Sequence, residues 1–242
     1  MSENWNVLFI ITDQQRADHL SCAGNPVLKT PHIDSIGKEG IRFTKYFCAA
    51  PICMPNRGSF FTGSYPSVHG TRSNGINLNP ELPTISEILR NQGYHTVSIG
   101  KTHFNYYANP YKKKKERSLE VIPYWMSGRI KSPIPTPYYG FDEVNLTVGH
   151  GDVCGGHYIE WLEEKKYEKL DFLKNNLIAL FKNYYETVLP EELYPSAYIT
   201  DRTVEFIKRH SEGINGDKPF FLHCSYNDPH HPVCPPGRYK DM

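Results

Sequence analysis

The residues with the chemistry to act on an ester or an anion are few. They are Asp13, Cys53, Arg57, Lys101, His103 and His230, with Asn74 and His231 as weaker companions. Cys53 opens the string Cys-Met-Pro-Asn-Arg, in which Pro55 fits the first turn of a helix. The free N–H groups of such a helix start attract anions, so the thiol is a candidate nucleophile beside a candidate anion site. Arg57 follows Cys53 by four residues, one helical turn on, so both face the same way. Each residue also has a plain structural explanation when taken singly. A lone cysteine packs as a small core residue, Asp13 or Asn74 can serve as a turn residue, a lysine is ordinarily a solvated charge, and a histidine is often structural. The combination carries the functional reading.

The elements that must position these side chains can be read around them. Val7 to Ile11 is a continuous β-rich apolar run, which predicts a strand buried on both faces of a parallel sheet. Asp13 then lies just past its carboxyl end, where open α/β sheets bind ligands. Thr30-Pro31 with Ile33, Ile36 and Gly40 predicts a short capped helix, and Ile41 to Phe47 an extended segment. Pro83 to Gln92 reads as an amphipathic helix stopped by Gly93, and His95 to Ile99 as a strand that releases Lys101 and His103. Trp161 to Tyr185 and Ser196 to Arg209 carry helical spacing with many Lys and Glu and read as surface helices. Phe220 to Ser225 reads as a buried strand that delivers Asn227-Asp228-Pro229-His230-His231-Pro232. Between them, residues 105–150 are rich in Tyr, Pro and Lys without a sustained period, which predicts an irregular insertion lining a cleft. There Tyr106, Tyr107, Tyr111, Tyr138 and Tyr139 either stack on a sugar or aryl ring or pack the loop. This order predicts one α/β domain over residues 1–242, a mostly parallel sheet sandwiched by helices.

Composition narrows the function classes. The 242 residues are 39% hydrophobic and 13% aromatic, enough for a buried core. Lys plus Arg (27) nearly balances Asp plus Glu (26), so no overall field favours nucleic acid or an anionic membrane, and any anion site is local. The basic run Lys112 to Lys115 reads as a solvated loop. Six cysteines without a Cys-x-x-Cys pair argue against a disulfide framework or zinc knuckle. The amino terminus lacks a basic n-region and a signal-length apolar run, so the expectation is a cytoplasmic protein.

Five strings, in order, carry a resemblance: residues 6–16 (Asn-Val-Leu-Phe-Ile-Ile-Thr-Asp-Gln-Gln-Arg), 29–34 (Lys-Thr-Pro-His-Ile-Asp), 53–58 (Cys-Met-Pro-Asn-Arg-Gly), 93–103 (Gly-Tyr-His-Thr-Val-Ser-Ile-Gly-Lys-Thr-His) and 227–232 (Asn-Asp-Pro-His-His-Pro). Together they resemble the sulfatase family. The resemblance implies the alkaline-phosphatase-like α/β/α fold, a divalent metal (Ca2+ foremost, with Mg2+ or Mn2+ as alternatives), a small sulfate ester as substrate, and conversion of Cys53 to formylglycine by a separate maturation enzyme. It further implies that one hydroxyl of the hydrated aldehyde attacks sulfur and the other later expels sulfate. Asp13 and the modified Cys53 would then hold the metal. Arg57 would hydrogen-bond the modified side chain or the metal-site carboxylates, and Lys101 the sulfate oxygens. His103 would assist release of sulfate, His230 would protonate the leaving alkoxide, and Asn74 would donate to the substrate anion.

Two departures qualify the expectation. Asp13 is followed by Gln14, where many sulfatases have a second acidic residue. The Asp-Gln pair resembles the branch of choline sulfatases and phosphonate monoester hydrolases, so phosphonate monoester or phosphodiester hydrolysis is the alternative, and an inactive binding module a third. In addition, no Asp-His-Gly or Asp-Asn-Gly string completes the metal site, so the chain reads as an amino-terminal portion with a sheet incomplete at its carboxyl side.

Overall fold

The computed structural model describes residues 4–107, 118–214 and 216–241. In chain order the elements are β1 (Val7–Ile11), α1 (Pro31–Glu39), α2 (Cys53–Thr62), α3 (Pro66–His69), α4 (Ile85–Asn91), β2 (His95–Gly100), α5 (Ile122–Met126), β3 (Glu143–His150), β4 (Val153–Gly156), α6 (His157–Glu164), α7 (Leu170–Asn175), α8 (Pro195–Ser211) and β5 (Phe220–Ser225). The strands form one sheet in the order β1-β5-β2-β3-β4. The first four pair in parallel and β4 returns antiparallel to β3.

Alternation along β5 shows why helices are needed on both faces. Successive strand residues point to opposite sides. The His223 ring contacts Phe61 of α2 at 5.0 Å between centroids, whereas Cys224 Sγ accepts from Thr203 of α8 at 3.2 Å. Therefore α2 and α8 cover opposite faces. Phe61, Phe104 and Phe141 build the core on one side, while Tyr198, Ile199 and Phe206 of α8 are buried in the core as well. The expected α/β/α arrangement with a mostly parallel sheet is what the chain forms. Among the described residues no helix is long and apolar enough to cross a membrane.

Register places the carboxyl ends of three strands level. Ile11 and Gly100 both lie beside Ser225. Gly100 pairs with Leu146, so β3 continues four residues beyond that level to His150. Gly100 itself has φ +100°, and a Cβ there would lie 1.9 Å from the Ser225 carbonyl oxygen. Only glycine permits that approach, and the next residue, Lys101, donates its N–H to the same carbonyl at 2.9 Å.

Several expectations need correction. Among the described residues β1 is an outer strand paired only with β5, and Val7, Leu8 and Ile10 are 37%, 42% and 48% exposed rather than buried on both faces. Its apolar run follows strand propensity, but its place in the sheet is set by non-local pairing. Ile41 to Phe47 forms no strand; it has the composition of one without a pairing partner, and Ile41, Phe43, Tyr46 and Phe47 are exposed. The stretch read as irregular at about 105–150 contains α5 and ends in β3, inside the sheet, because its Tyr- and Pro-rich average hides the alternating Val144, Leu146 and Val148. Trp161 to Tyr185 is broken at Lys166, whose φ is +52°. It forms the end of α6, then α7 and a 3-10 turn (Leu177–Phe181), and it buries Leu162 and Leu173 instead of lying wholly on the surface. The basic run Lys112 to Lys115 and Tyr111 fall outside the described residues.

Candidate active site

Asp13 leaves β1 and is tied by its backbone N–H to the Asp228 carbonyl, 3.0 Å away, on the loop after β5. Its carboxylate is nearly buried. Cys53 is the first residue of α2, after Ile52 in extended conformation, with Pro55 two places on. No residue of the first turn is acidic, so α2 itself supplies no charge to offset the partial positive charge of its start. Cys53 Sγ lies 3.6 Å from Asp13 Oδ1. One turn along α2, Arg57 is buried and fixed from three sides: Nη1 donates to the Lys101 carbonyl at 2.6 Å and to Ser225 Oγ at 2.9 Å, and Nη2 lies 3.6 Å from Asp13 Oδ2. Arg57 thereby joins α2 to the ends of β2 and β5.

Lys101 is fully buried, and its ammonium contacts Asp13 Oδ2 and lies 2.6 Å from His150 Nε2. Because the ammonium can only donate, that imidazole nitrogen accepts. His150 is stacked face to face on His230, centroids 3.7 Å apart and planes 13° apart. His103 is buried, stacks on Tyr107 at 3.8 Å, and adopts φ +52°, an uncommon conformation for a residue with a Cβ. That conformation is held from outside. Glu120, fully buried, accepts at Oε1 from Thr102 Oγ1 (2.9 Å), Phe104 N–H (3.0 Å), Asn105 N–H (3.1 Å) and Tyr138 Oη (2.8 Å). The carboxylate thus grips the chain on both sides of His103.

Electrostatics follow from two cations and one carboxylate in a desolvated place. Burial pushes the Asp13 carboxyl upward, but Lys101 and Arg57 together outweigh it and hold it well below the usual carboxylate range. Burial raises the Cys53 thiol, with Lys101 acting against the rise. Burial and then Lys101 lower His103, His150 and His230, so all three rings are neutral near pH 7. The cluster therefore carries a local positive excess in a chain that is nearly neutral overall, as an anion site requires.

Of the residues expected from sequence, Asp13, Cys53, Arg57 and Lys101 meet directly, and His230 joins them through His150. His103 stands on the same side, its ring 6.4 Å from that of His150. Asn74 reaches the start of α2, where its Oδ1 accepts the Met54 N–H at 3.1 Å and satisfies an open donor of the helix, leaving its amide N–H groups as the donors. His231 is exposed, and its ring lies 4.3 Å from that of His230. Sequence reasoning missed His150 and Glu120. A strand read into Val144 to Val148 would have placed His150 at its carboxyl end beside Lys101. Tyr138 and Tyr139 pack the interior, with Tyr139 Oη donating to the Leu78 carbonyl at 2.6 Å.

Asp13 suits a hard divalent cation as one ligand. Such ions take six or more oxygens, and the described residues gather one carboxylate at this point, already facing two cations. The donor set is thus part of a hard-cation site.

The sulfatase family model matches residues 5–242. Among curated relatives, the uncharacterized sulfatase YidJ of Escherichia coli (strain K12) is 28% identical over 237 residues, covering 98% of this chain and 40% of that protein. An arylsulfatase of Clostridium perfringens is 29% identical over 241 residues, covering 98% and 46%. Among solved structures, the phosphonate monoester hydrolase of Agrobacterium radiobacter superposes with a TM-score of 0.71 at 21% identity, covering 99% of this chain and 44% of that one. The chain spans less than half the length of these relatives.

Proposed function

Because this chain belongs to the sulfatase family, we propose that it is the nucleophile-bearing part of a metal-dependent sulfuric ester hydrolase acting on a small sulfate ester. Cys53 is the precursor of the nucleophile. The observation that carries the reading is the placement of Cys53 at the start of α2, 3.6 Å from Asp13 and grouped with Arg57 and Lys101. When present, the formylglycine made from Cys53 by a maturation enzyme supplies the attacking hydroxyl, and a divalent ion, Ca2+ in our assignment, favours its ionisation. Asp13 would offer one oxygen to that ion, and its pairing with Lys101 is the contact that would have to loosen.

The remaining roles fall to this chain's own groups. Lys101, once relieved of Asp13, is placed to meet the anionic oxygens of the ester. Arg57 keeps α2 fixed against β2 and β5, which sets where residue 53 points. His230 lies on the solvent side of His150 and is the donor to the leaving oxygen; a bound anion offsets Lys101 and raises this imidazole toward the protonated form it needs. His103, held in place by the Glu120 clamp, exchanges the proton of the hydroxyl at position 53. Gln14 in place of a second acid favours a single alternative on the same fold, hydrolysis of phosphonate monoesters or phosphodiesters.

The test is co-expression with a formylglycine-generating enzyme, followed by intact mass and a panel of aryl sulfate, phosphonate monoester and phosphodiester substrates. The reading expects the mass loss of a thiol replaced by an aldehyde at Cys53. It also expects metal-dependent release from aryl sulfate, by this chain or by a longer protein that contains it, and no release in the C53A variant. Phosphonate release exceeding sulfate release would shift the assignment to the alternative. An unmodified Cys53 with no turnover of any substrate would favour a binding module.

A further inference from the structure

Cys53, His150 and His230 form a cluster whose chemistry differs from that of the carboxylate beside it. One donor atom from each lies within 4.8 Å of the other two, and all three side chains are half-buried. Thiolate and imidazole are the donors of borderline-soft cations, and carboxylate and water those of hard ones. A tetrahedral zinc ion, with bonds of about 2.3 Å to sulfur and about 2.0 Å to nitrogen, holds its donors roughly 3.3–3.7 Å apart. An inward movement of about 1 Å therefore closes the set around an ion.

The hydrogen bonds prepare the two rings for this. His230 Nδ1 contacts the His231 carbonyl, which can only accept, so Nδ1 carries the proton and Nε2 keeps its lone pair. A second hydrogen bond of that kind is how metal-binding histidines are oriented. His150 Nε2 likewise keeps a lone pair, now occupied by the Lys101 ammonium at 2.6 Å. An ion binding there displaces the ammonium, which retains Asp13 Oδ2 as partner. The parallel stack of the two rings must also splay, and half-buried His230 lies in a loop rather than in a regular element.

We propose that the unconverted Cys53 thiolate, with His150 and His230, binds a zinc-class divalent cation, leaving the fourth position to water or to Asp13 Oδ1. The thiol proton leaves to solvent as the ion binds. Lys101 is the competitor of the ion at His150. An aldehyde hydrate at position 53 offers no thiolate, so this site exists only before conversion. The proposal holds whether or not the chain hydrolyses sulfate esters.

The experiment uses the reduced, metal-free chain produced without a maturation enzyme and titrated with Co2+. One equivalent is expected to give the near-ultraviolet thiolate-to-cobalt band and the intense visible bands of tetrahedral cobalt, both removed by Zn2+. The C53S variant should lose the near-ultraviolet band. H150A and H230A should each weaken binding by at least about tenfold, and K101M should strengthen it. Retention of the band in C53S, which would place the ion on another of the six cysteines, overturns the proposal. So does wild-type affinity in both histidine variants, and unchanged or weaker binding in K101M removes Lys101 as competitor. A second measurement needs no variant: Zn2+ should protect Cys53 from alkylation, read by peptide mass, while Ca2+ should not. Equal protection by both ions, or by neither, also overturns it.

Discussion

Replacing Asp13 by Asn tests the electrostatic account of the site without requiring turnover. The substitution removes the one carboxylate that, among the described residues, faces Lys101, which is 0% exposed, and Arg57, which is 3% exposed. Removing one partner of a buried ion pair leaves the other charge uncompensated and costs about 3–5 kcal/mol. Arg57 keeps two other acceptors, so most of the loss is assigned to Lys101. The D13N variant should therefore unfold in urea with stability lower by about 3 kcal/mol at pH 7, and D13N/K101M should recover a large part of it. The pH dependence has a definite sign. Asp13 is held well below its unfolded value of about 3.9, so its contribution is fully present above that value and is lost as pH falls through the folded one. The difference between wild type and D13N should stay constant from pH 7 to about pH 5 and shrink below about pH 4. A D13N variant within about 0.5 kcal/mol of wild type at pH 7, or a difference that grows on acidification, would refute the reasoning.

Three further outcomes follow from the same contacts. Glu120→Ala strands four donors around His103 and should cost about 3–5 kcal/mol in chemical denaturation, whereas Glu120→Gln, which keeps an acceptor, should cost less than half as much. Gly100→Ala places a Cβ 1.9 Å from the Ser225 carbonyl oxygen, so at least about 3 kcal/mol and a lowered melting temperature are expected. Phe61→Ala opens a cavity among Phe104, Phe141 and His223 and should lower the denaturation midpoint by the equivalent of about 3–5 kcal/mol.

Much of the site was legible because the relevant signals are local. Asp13, Lys101, His103 and His230 each follow a short apolar run, and a strand of a parallel sheet delivers its next residues to one common edge. Pro55, which fits the first turn of a helix, marked the start of α2. What escaped depends on pairing across the chain. The outer position of β1 is decided by strand order, which no window of sequence contains. His150 was hidden because β3 carries Asn145 and Gly149 among its apolar residues and follows a Tyr- and Pro-rich stretch. Glu120 reads as an ordinary surface acid until its four donors, contributed by residues 102 to 138, are seen around it. Asn74 was legible only as a weaker companion, because its partner, the Met54 N–H, lies twenty residues away in sequence.

The overhang of β3 gives the site a vernier. His150 is set four steps past the Gly100–Leu146 pair and opposite Val153 across a two-residue turn, so its direction is counted out residue by residue. Side chains alternate with a period of two. A single residue added between Leu146 and His150 would turn the imidazole to the far side of the sheet, while added length ahead of Glu143 leaves the count untouched. Lengthening the connection before β3 can therefore leave His150 in phase with Lys101, whereas the last four steps of the strand have no such tolerance.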